Sequence, residues 1–294
     1  MVIVDNGYID LHVHSNYSDG KHSLQFIANK AIENNVRVLA FAEHYNMSSF
    51  FPFRRLVGKQ IEVIPAIEMG ASLSSFGLSK NHVCHIVAYF PTTQICSILD
   101  YYELSREKCV RRTLKRLKSE GINLSYTDVA KYARDKLSIG RFDIAIALYK
   151  LGHAPTPAKA YSKFLDLNSP IYVDREKMQV EALIKSILMC KGLPVLAHPR
   201  TLRLNNTDTT LLIAKLKSYG LVGIEVYNPH NRPEHIEFFS GLCDEFGLLK
   251  TVGSDYHGRS KECVELGLGI DGNLKINDYS IVTALKQKEK QLFY

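Results

Sequence analysis

Two short runs near opposite ends of the chain, His12-Val13-His14 and Asp255-Tyr256-His257, each place two metal-type ligands at i and i+2. On a strand, residues at that spacing point to one face. Each run follows an apolar stretch that reads as a strand, Tyr8-Ile9-Asp10-Leu11 and Leu249-Lys250-Thr251-Val252. A fold that brings the first and last strands together gathers four ligands around one point. Histidine and carboxylate donors without cysteine suit Zn2+, Mn2+ or Fe2+. Ions of this kind act as Lewis acids and bring the pKa of a bound water near 7.

Such ligands need strands to carry them. Apolar segments recur at 9–14, 37–43, 62–68, 83–90, 193–198, 222–227 and 249–254, each ending in polar residues. Helical periodicity lies between several of them. Residues 23–34 put Leu24, Ile27, Ala28, Ala31 and Ile32 on one face with Ser23 as N-cap, and 180–191 and 209–219 repeat the pattern, with Gly192 and Gly220 at their C-caps. Alternation of this kind predicts a mainly parallel α/β sheet, and seven strands suggest a barrel. From about 95 to 191 the rhythm breaks into helices at 98–120, 126–135, 141–151 and 157–165. The expected organisation is therefore an α/β barrel, 1–94 with 192–294, carrying a helical insertion at 95–191.

In a parallel barrel, chemistry collects where the strands end. Strand one ends in His12 and His14, with Asp19 five residues on; strand two ends in Glu43-His44 and strand three in Glu68. Strand four carries His85 beside its rival His82, strand five ends in His198-Pro199, and strand seven leads into Asp255 and His257. Six histidines and three carboxylates exceed what one ion needs, so two or three divalent ions are expected, with a carboxylate bridging.

Bulk composition limits the alternatives. Of 294 residues, 46% are hydrophobic and 23% charged, as in ordinary globular proteins. No apolar run approaches the ~20 residues that cross a bilayer, and the first strand starts too early to leave room for a signal peptide. The six scattered cysteines suggest free thiols in a reducing cytoplasm. The net charge of +7 fits an anionic substrate. Between Glu103 and Ser119 stand seven Lys/Arg (Arg106, Lys108, Arg111, Arg112, Lys115, Arg116 and Lys118), a solvated helix face or a contact for further phosphates of an oligonucleotide.

The order of these words resembles the PHP (polymerase and histidinol phosphatase) superfamily of metal-dependent phosphoesterases. The carriers are Asp10-Leu11-His12-Val13-His14, Tyr17-Ser18-Asp19-Gly20, Ala42-Glu43-His44, Pro65-Ala66-Ile67-Glu68, His85-Ile86-Val87, Ala197-His198-Pro199 and Gly253-Ser254-Asp255-Tyr256-His257. Within the insertion, Gly140-Arg141-Phe142-Asp143, Ala158-Lys159-Ala160-Tyr161 and Pro170-Ile171-Tyr172-Val173 are similar to the helical lid of the TrpH/YciV-like branch, which contains nucleoside 3′,5′-bisphosphate phosphatases and 5′→3′ exoribonucleases.

The resemblance implies a distorted (β/α)7 PHP barrel with an inserted helical lid domain. It implies that His12, His14, Glu68 and Asp255 hold one ion, that Asp19, His44 and His257 hold a second, and that Glu68, His85 and His198 hold a third. Mn2+ is the expected metal, with Zn2+ or Fe2+ as alternatives. The implied activity is hydrolysis of a phosphorylated nucleotide or short oligonucleotide by a metal-activated hydroxide, with Asp255, His198 and His257 closest to the chemistry. Arg141 and Arg200 are the candidate phosphate contacts, Arg141 because its fork opens a helix. Two positions depart from the branch. Glu43 stands where it has Asp, which moves the carboxylate behind the ligands, and Asp143 stands where it has His. Histidinol-phosphate phosphatase is the alternative activity, and a metal-binding regulatory module the non-enzymatic one. No membrane attachment and no obligate protein partner are expected.

Overall fold

A computed structural model describes residues 7–78, 82–133, 139–258 and 263–294. Seven strands lie side by side in chain order: β1 (Tyr8–Val13), β2 (Val36–Phe41), β3 (Glu62–Ser72), β4 (Val83–Tyr89), β5 (Leu193–Leu196), β6 (Gly223–Tyr227) and β7 (Leu249–Val252). The pairs β1–β2, β2–β3, β5–β6 and β6–β7 are parallel, whereas β4 runs antiparallel to both β3 and β5. The sheet closes just beyond the strands. Val13 bridges Tyr256, the Asp255 N–H donates to the His12 carbonyl at 2.9 Å and the His14 N–H to the Tyr256 carbonyl at 2.9 Å. This is the α/β barrel expected, with one strand reversed.

Alternate strand residues fill the interior: Ile9 and Leu11, Val38 and Ala40, Ile64 and Ala66, Val87 and Tyr89, Leu193 and Val195. That period of two is why each strand reads as apolar while still presenting polar side chains at its end. The buried Tyr89 hydroxyl finds a partner in the Leu11 carbonyl at 3.0 Å. Helix α1 (Leu24–Glu33) is capped by Ser23, whose side chain accepts from the Phe26 N–H. It buries Leu24, Ile27, Ala28 and Ala31, but Ile32, expected on that face, points largely to solvent. Three helices had no clear sequence signature: α2 (Phe50–Val57), α9 (Pro233–Phe246) and α10 (Ser280–Phe293), the last contributing Ile281, Val282 and Leu285 to the barrel core.

Two compact units partition the chain, Met1–Ile95 with Met178–Tyr294, and Cys96–Lys177. In the first, α7 (Val180–Met189) buries Leu183, Ile184 and Ile187, and the return to β3 is tied by the Ser72 N–H to the Met178 carbonyl at 2.9 Å. Gly192 does not cap α7: the left-handed turn falls on Lys191, with φ of 56°. Helix α8 (Asn206–Tyr219) does end on left-handed Gly220.

The second unit is helical, with α3 (Cys96–Ser119), α4 (Tyr126–Ala130), α5 (Arg141–Lys150) and α6 (Pro157–Ala160), the last running on into a π turn at Tyr161–Leu165. Helix α4 stops well short of the expected 135; residues 134 and 135 lie outside the described residues. The unit has its own apolar core, including Leu114, Leu117, Val129, Ile144, Leu148 and Phe164. Asp143 caps α5 from within, its carboxylate accepting from the Gly140 N–H at 2.8 Å.

Candidate metal centre

The reversal of β4 decides where its histidine goes. His85 is the third residue of β4, at the strand's start and not its end. In an all-parallel barrel it would face the opposite rim from the other candidates. Because β4 is antiparallel, Gly70 lies opposite His85, and Glu68 opposite Val87 two residues away. His85 Nδ1 thereby comes within 3.0 Å of Glu68 Oε1.

Glu68 is the hub. Its Oε1 lies 2.9 Å from His198 Nε2 and 3.5 Å from His12 Nε2; its Oε2 lies 3.0 Å from His44 Nδ1 and 3.4 Å from His14 Nε2. Asp255 Oδ1 approaches His14 Nε2 at 3.2 Å and His12 Nε2 at 3.6 Å. Asp19 Oδ1 approaches His257 Nε2 at 3.0 Å and, more loosely, His14 Nδ1 at 3.8 Å and His44 Nε2 at 3.9 Å. All nine residues named as ligand candidates therefore meet in one cluster. Three groupings bring donor atoms within 4.8 Å of one another: His14, Asp19, His44 and His257; His12, Glu68 and His198; His12, His14 and Asp255. Among the described residues His82 enters none of them.

Backbone strain accompanies the aim of these side chains. His198 (φ 27°) and Asp255 (φ 55°) are both left-handed, as is Tyr45 (φ 53°) directly after His44. Non-glycine residues occupy this region at a cost of order 1–3 kcal/mol and do so where the surroundings over-determine them.

The electrostatics of the cluster call for cations. Burial opposes charge on Glu68, yet His85, His12 and His44 hold its carboxyl well below the usual range. Burial also opposes charge on Asp255, but His14 and His12 pull it down strongly. Against the same burial, His257 and His44 bring Asp19 to about 2. The imidazoles respond in kind. Burial disfavours a charged ring at His12, but Glu225 and Glu68 outweigh it and raise its pKa well above the ordinary value. His198 rises to about 9 because Glu68 and Asp255 overcome burial. His14 goes the other way, to about 4, because burial and its neighbours His44 and His12 disfavour a second positive ring. His12 Nε2 and His14 Nε2 face each other at 3.1 Å, a pairing met by an N–H···N hydrogen bond when one ring carries its proton there, or by a metal ion when both present lone pairs.

His85 provides an independent test of fit. Its Nδ1 is buried and 3.0 Å from a carboxylate oxygen, yet the angles give no hydrogen bond, so this ring nitrogen has no hydrogen-bond partner. A buried polar atom without one costs about 1–3 kcal/mol unless something else satisfies it. A divalent ion would, and the donor set of imidazole nitrogens and carboxylate oxygens fits one.

Two supporting residues, Glu225 and Asp10, had no role assigned from sequence, and a third, Glu43, lies behind the ligands as expected. Glu225 on β6 is buried; its Oε2 lies 2.6 Å from His12 Nδ1, and its Oε1 accepts from the His198 N–H at 3.2 Å and from Asn228 Nδ2 at 2.8 Å. The available signal was a lone carboxylate inside the apolar run Val222–Tyr227, since a charge buried there requires partners. Asp10 fastens the barrel seam, accepting from the N–H groups of Ser254 (2.9 Å) and Gly267 (2.8 Å), and burial raises its pKa to about 6. Glu43 turns away from the cluster, accepting from the Ser15 N–H at 3.1 Å and from the Ser15 and Ser18 hydroxyls. The Ser18 hydroxyl lies 3.4 Å from His14 Nδ1, so Glu43 acts on the ligands at one remove.

Each candidate phosphate contact has a partner within its own unit. The Arg200 guanidinium donates to the His230 carbonyl. Arg141, in the helical unit, lies over the Tyr172 ring at 4.9 Å.

A family model described as the PHP domain matches residues 10–168. Among curated proteins, a 5′-3′ exoribonuclease of Haemophilus influenzae is 26% identical over 89% of this chain and 94% of its own length. A phosphoribosyl 1,2-cyclic phosphate 1,2-diphosphodiesterase of Eggerthella lenta is 26% identical over 89% and 98%. A 3′,5′-nucleoside bisphosphate phosphatase of Chromobacterium violaceum is 23% identical over 85% and 87%. Among solved structures, one from Bifidobacterium adolescentis, assigned only provisionally as a metal-dependent phosphoesterase, superposes with a TM-score of 0.71 at 23% identity, covering 96% of each chain. No helix among the described residues is long and apolar enough to cross a membrane.

Proposed function

The chain belongs to the PHP domain family, and we propose that it is a metal-dependent phosphoesterase acting on nucleotides, either 3′,5′-bisphosphonucleotides or the 5′ ends of short RNA. The observation that carries the reading is the convergence on Glu68 of five imidazoles, one of them the unsatisfied His85. The named activities of the Haemophilus and Chromobacterium relatives support the substrate class.

In this reading His12, His14, Glu68 and Asp255 hold one divalent ion, Asp19, His44 and His257 a second, and Glu68, His85 and His198 a third, with Mn2+ the expected metal. When bound, such ions neutralise phosphoryl charge and acidify water toward neutral pH. The protein's own part is orientation. In the neutral ring, Glu225 accepts a hydrogen bond from His12 Nδ1–H, and this tautomer leaves the Nε2 lone pair facing the cluster. His257 Nδ1 meets the Asp255 carbonyl at 2.8 Å. A carbonyl only accepts, so the neutral ring carries its proton on Nδ1 and aims the Nε2 lone pair at the cluster. The His198 ring is steadied by Thr201 Oγ1, 3.1 Å from its Nδ1. These tautomers suit ligands better than proton donors, which makes His257 and His198 holders of the ions beside the reacting phosphate. Arg141 and Arg200 remain the proposed phosphate contacts.

The test is phosphate or mononucleotide release from a 3′,5′-bisphosphonucleotide and from a 5′-phosphorylated oligoribonucleotide, with histidinol phosphate as competitor. Activity is expected to stop with chelator, to return with Mn2+ and to be lost in His257→Ala. Turnover indifferent to all three overturns the reading, and preference for histidinol phosphate redirects it.

A further inference from the structure

The chain's charge is concentrated in one unit. Cys96–Lys177 contains 16 Lys/Arg against 10 Asp/Glu, so it carries +6 of the total +7, while the remaining residues nearly balance at 21 against 20. Within the unit the excess gathers on α3. Arg112, Lys115, Arg116 and Ser119 follow i, i+3, i+4, i+7 and form one exposed stripe. With Val173 and Asp174 they line a cleft of about 540 Å³.

The cleft is arranged for an anion. Asp174, the one carboxylate lining it among the described residues, is engaged by Lys177 Nζ at 3.3 Å and by the Tyr172 hydroxyl at 3.3 Å. The Arg116 guanidinium is anchored on the Tyr172 carbonyl, an uncharged partner that leaves its charge unneutralised. Arg112 pairs with Glu176 at 2.9 Å, but both are more than half exposed, and such pairs contribute at most about 1 kcal/mol. Lys115 has no ion-pair partner among the described residues. Most cationic helix stripes face only water; this one walls a concavity, where cations of one sign concentrate anions. The volume is many times the roughly 30 Å³ of a water molecule, room for more than a single phosphate.

We propose that this cleft binds the phosphodiester backbone of a single-stranded oligonucleotide, and hence that the substrate of this protein is short RNA and not a lone mononucleotide. The proposal rests on the phosphoesterase reading above and narrows it.

Fluorescence anisotropy of the metal-loaded full chain with a phosphorothioate-linked single-stranded oligoribonucleotide, which resists hydrolysis, tests it. Affinity is expected to fall with salt at a log–log slope of about −2, the value for three neutralised phosphates at about 0.7 each. Lys115→Glu and Arg112→Glu are each expected to weaken binding about tenfold at low salt and to flatten that slope. Lys215→Glu, the same charge change on α8 in the other unit, is expected to cost less than about twofold. Equal losses in Lys115→Glu and Lys215→Glu, no loss in Lys115→Glu, or equal affinity for polyglutamate or phosphatidylserine vesicles overturns the proposal. Turnover of two substrates by the wild-type chain in Mn2+ reports separately: no release from either a 3′,5′-bisphosphonucleotide or a 5′-phosphorylated oligoribonucleotide sinks the phosphoesterase reading, whereas release beside unaltered oligonucleotide binding in Lys115→Glu sinks only this inference.

Discussion

In the barrel unit, Glu68, Glu225, His12 and His14 are buried at the rim of the strands, while in the helical unit the cations of α3 stand in water above a core that is apolar from Val110 to Ile171. Burial raises the cost of every charge, so the barrel's carboxylates and imidazoles must cancel one another, and the remaining need for positive charge becomes a capacity to bind cations. Exposed charges need no such cancellation, and the excess on α3 stays available to an outside anion. The stability of the first unit should therefore follow pH and metal, and that of the second should follow packing alone.

The hardest test of this contrast is removal of the hub. Glu68→Ala leaves His12, His14, His44, His85 and His198 without their shared counter-charge. Metal content by elemental analysis is expected to fall to background, and phosphate release by about a thousandfold, the scale of losing a central electrostatic group. Retained metal would show that the histidines suffice alone.

In the helical unit the matching lesion is Leu148→Ala, fully buried in its core. It should cost about 2–5 kcal/mol in denaturant unfolding, with the same cost in chelator and in Mn2+. A cost that changed with metal would break the contrast.

The pH dependence separates metal-free from metal-loaded protein. His198 lies at about 9 in the fold against an ordinary 6.5, a raised value. Its contribution is fully present below pH 6.5 and is lost as pH rises through 9. Metal-free protein is expected to lose about 3 kcal/mol or less across that window, seen as a falling Tm. With Mn2+ bound the ring is held by a metal ion and not by a proton, so the fall should vanish. Equal slopes in the two forms would refute the exchange of protons for metal.

Glu225→Gln keeps the shape beside His12 but removes the charge. Metal affinity by calorimetry should drop about 10- to 100-fold with the fold intact. Smallest is Asp143→Ala, which deletes the α5 cap and should cost about 1 kcal/mol while leaving metal content unchanged.

Much of the barrel could be read from the chain because its signals are local. Period-two apolar runs mark the strands, and Ser23 and Gly220 mark helix ends by backbone chemistry that needs no distant partner. The ligand candidates were legible for the same reason: few residue types bind metals, and they recur beside strands. Where reading failed, a distant contact had decided. Gly192 yielded the αL position to Lys191, and Glu225 could not be matched to His12, 213 residues earlier. Asp143 reads locally as a helix cap once α5 is in place, although its position had drawn attention as a departure in a substrate motif.

By itself the sequence determined which side chains can bind a cation, their order along the chain and the strands that bear them, because those properties belong to residue type and short-range periodicity. Only the tertiary structure decided that β4 runs backwards and so brings His85 to the rim, that His198 and Asp255 adopt left-handed backbones to aim inward, and that Glu225 holds His12 in one tautomer. Strand direction, strain and buried pairing are set by contacts between residues far apart in the chain, and no local pattern records them.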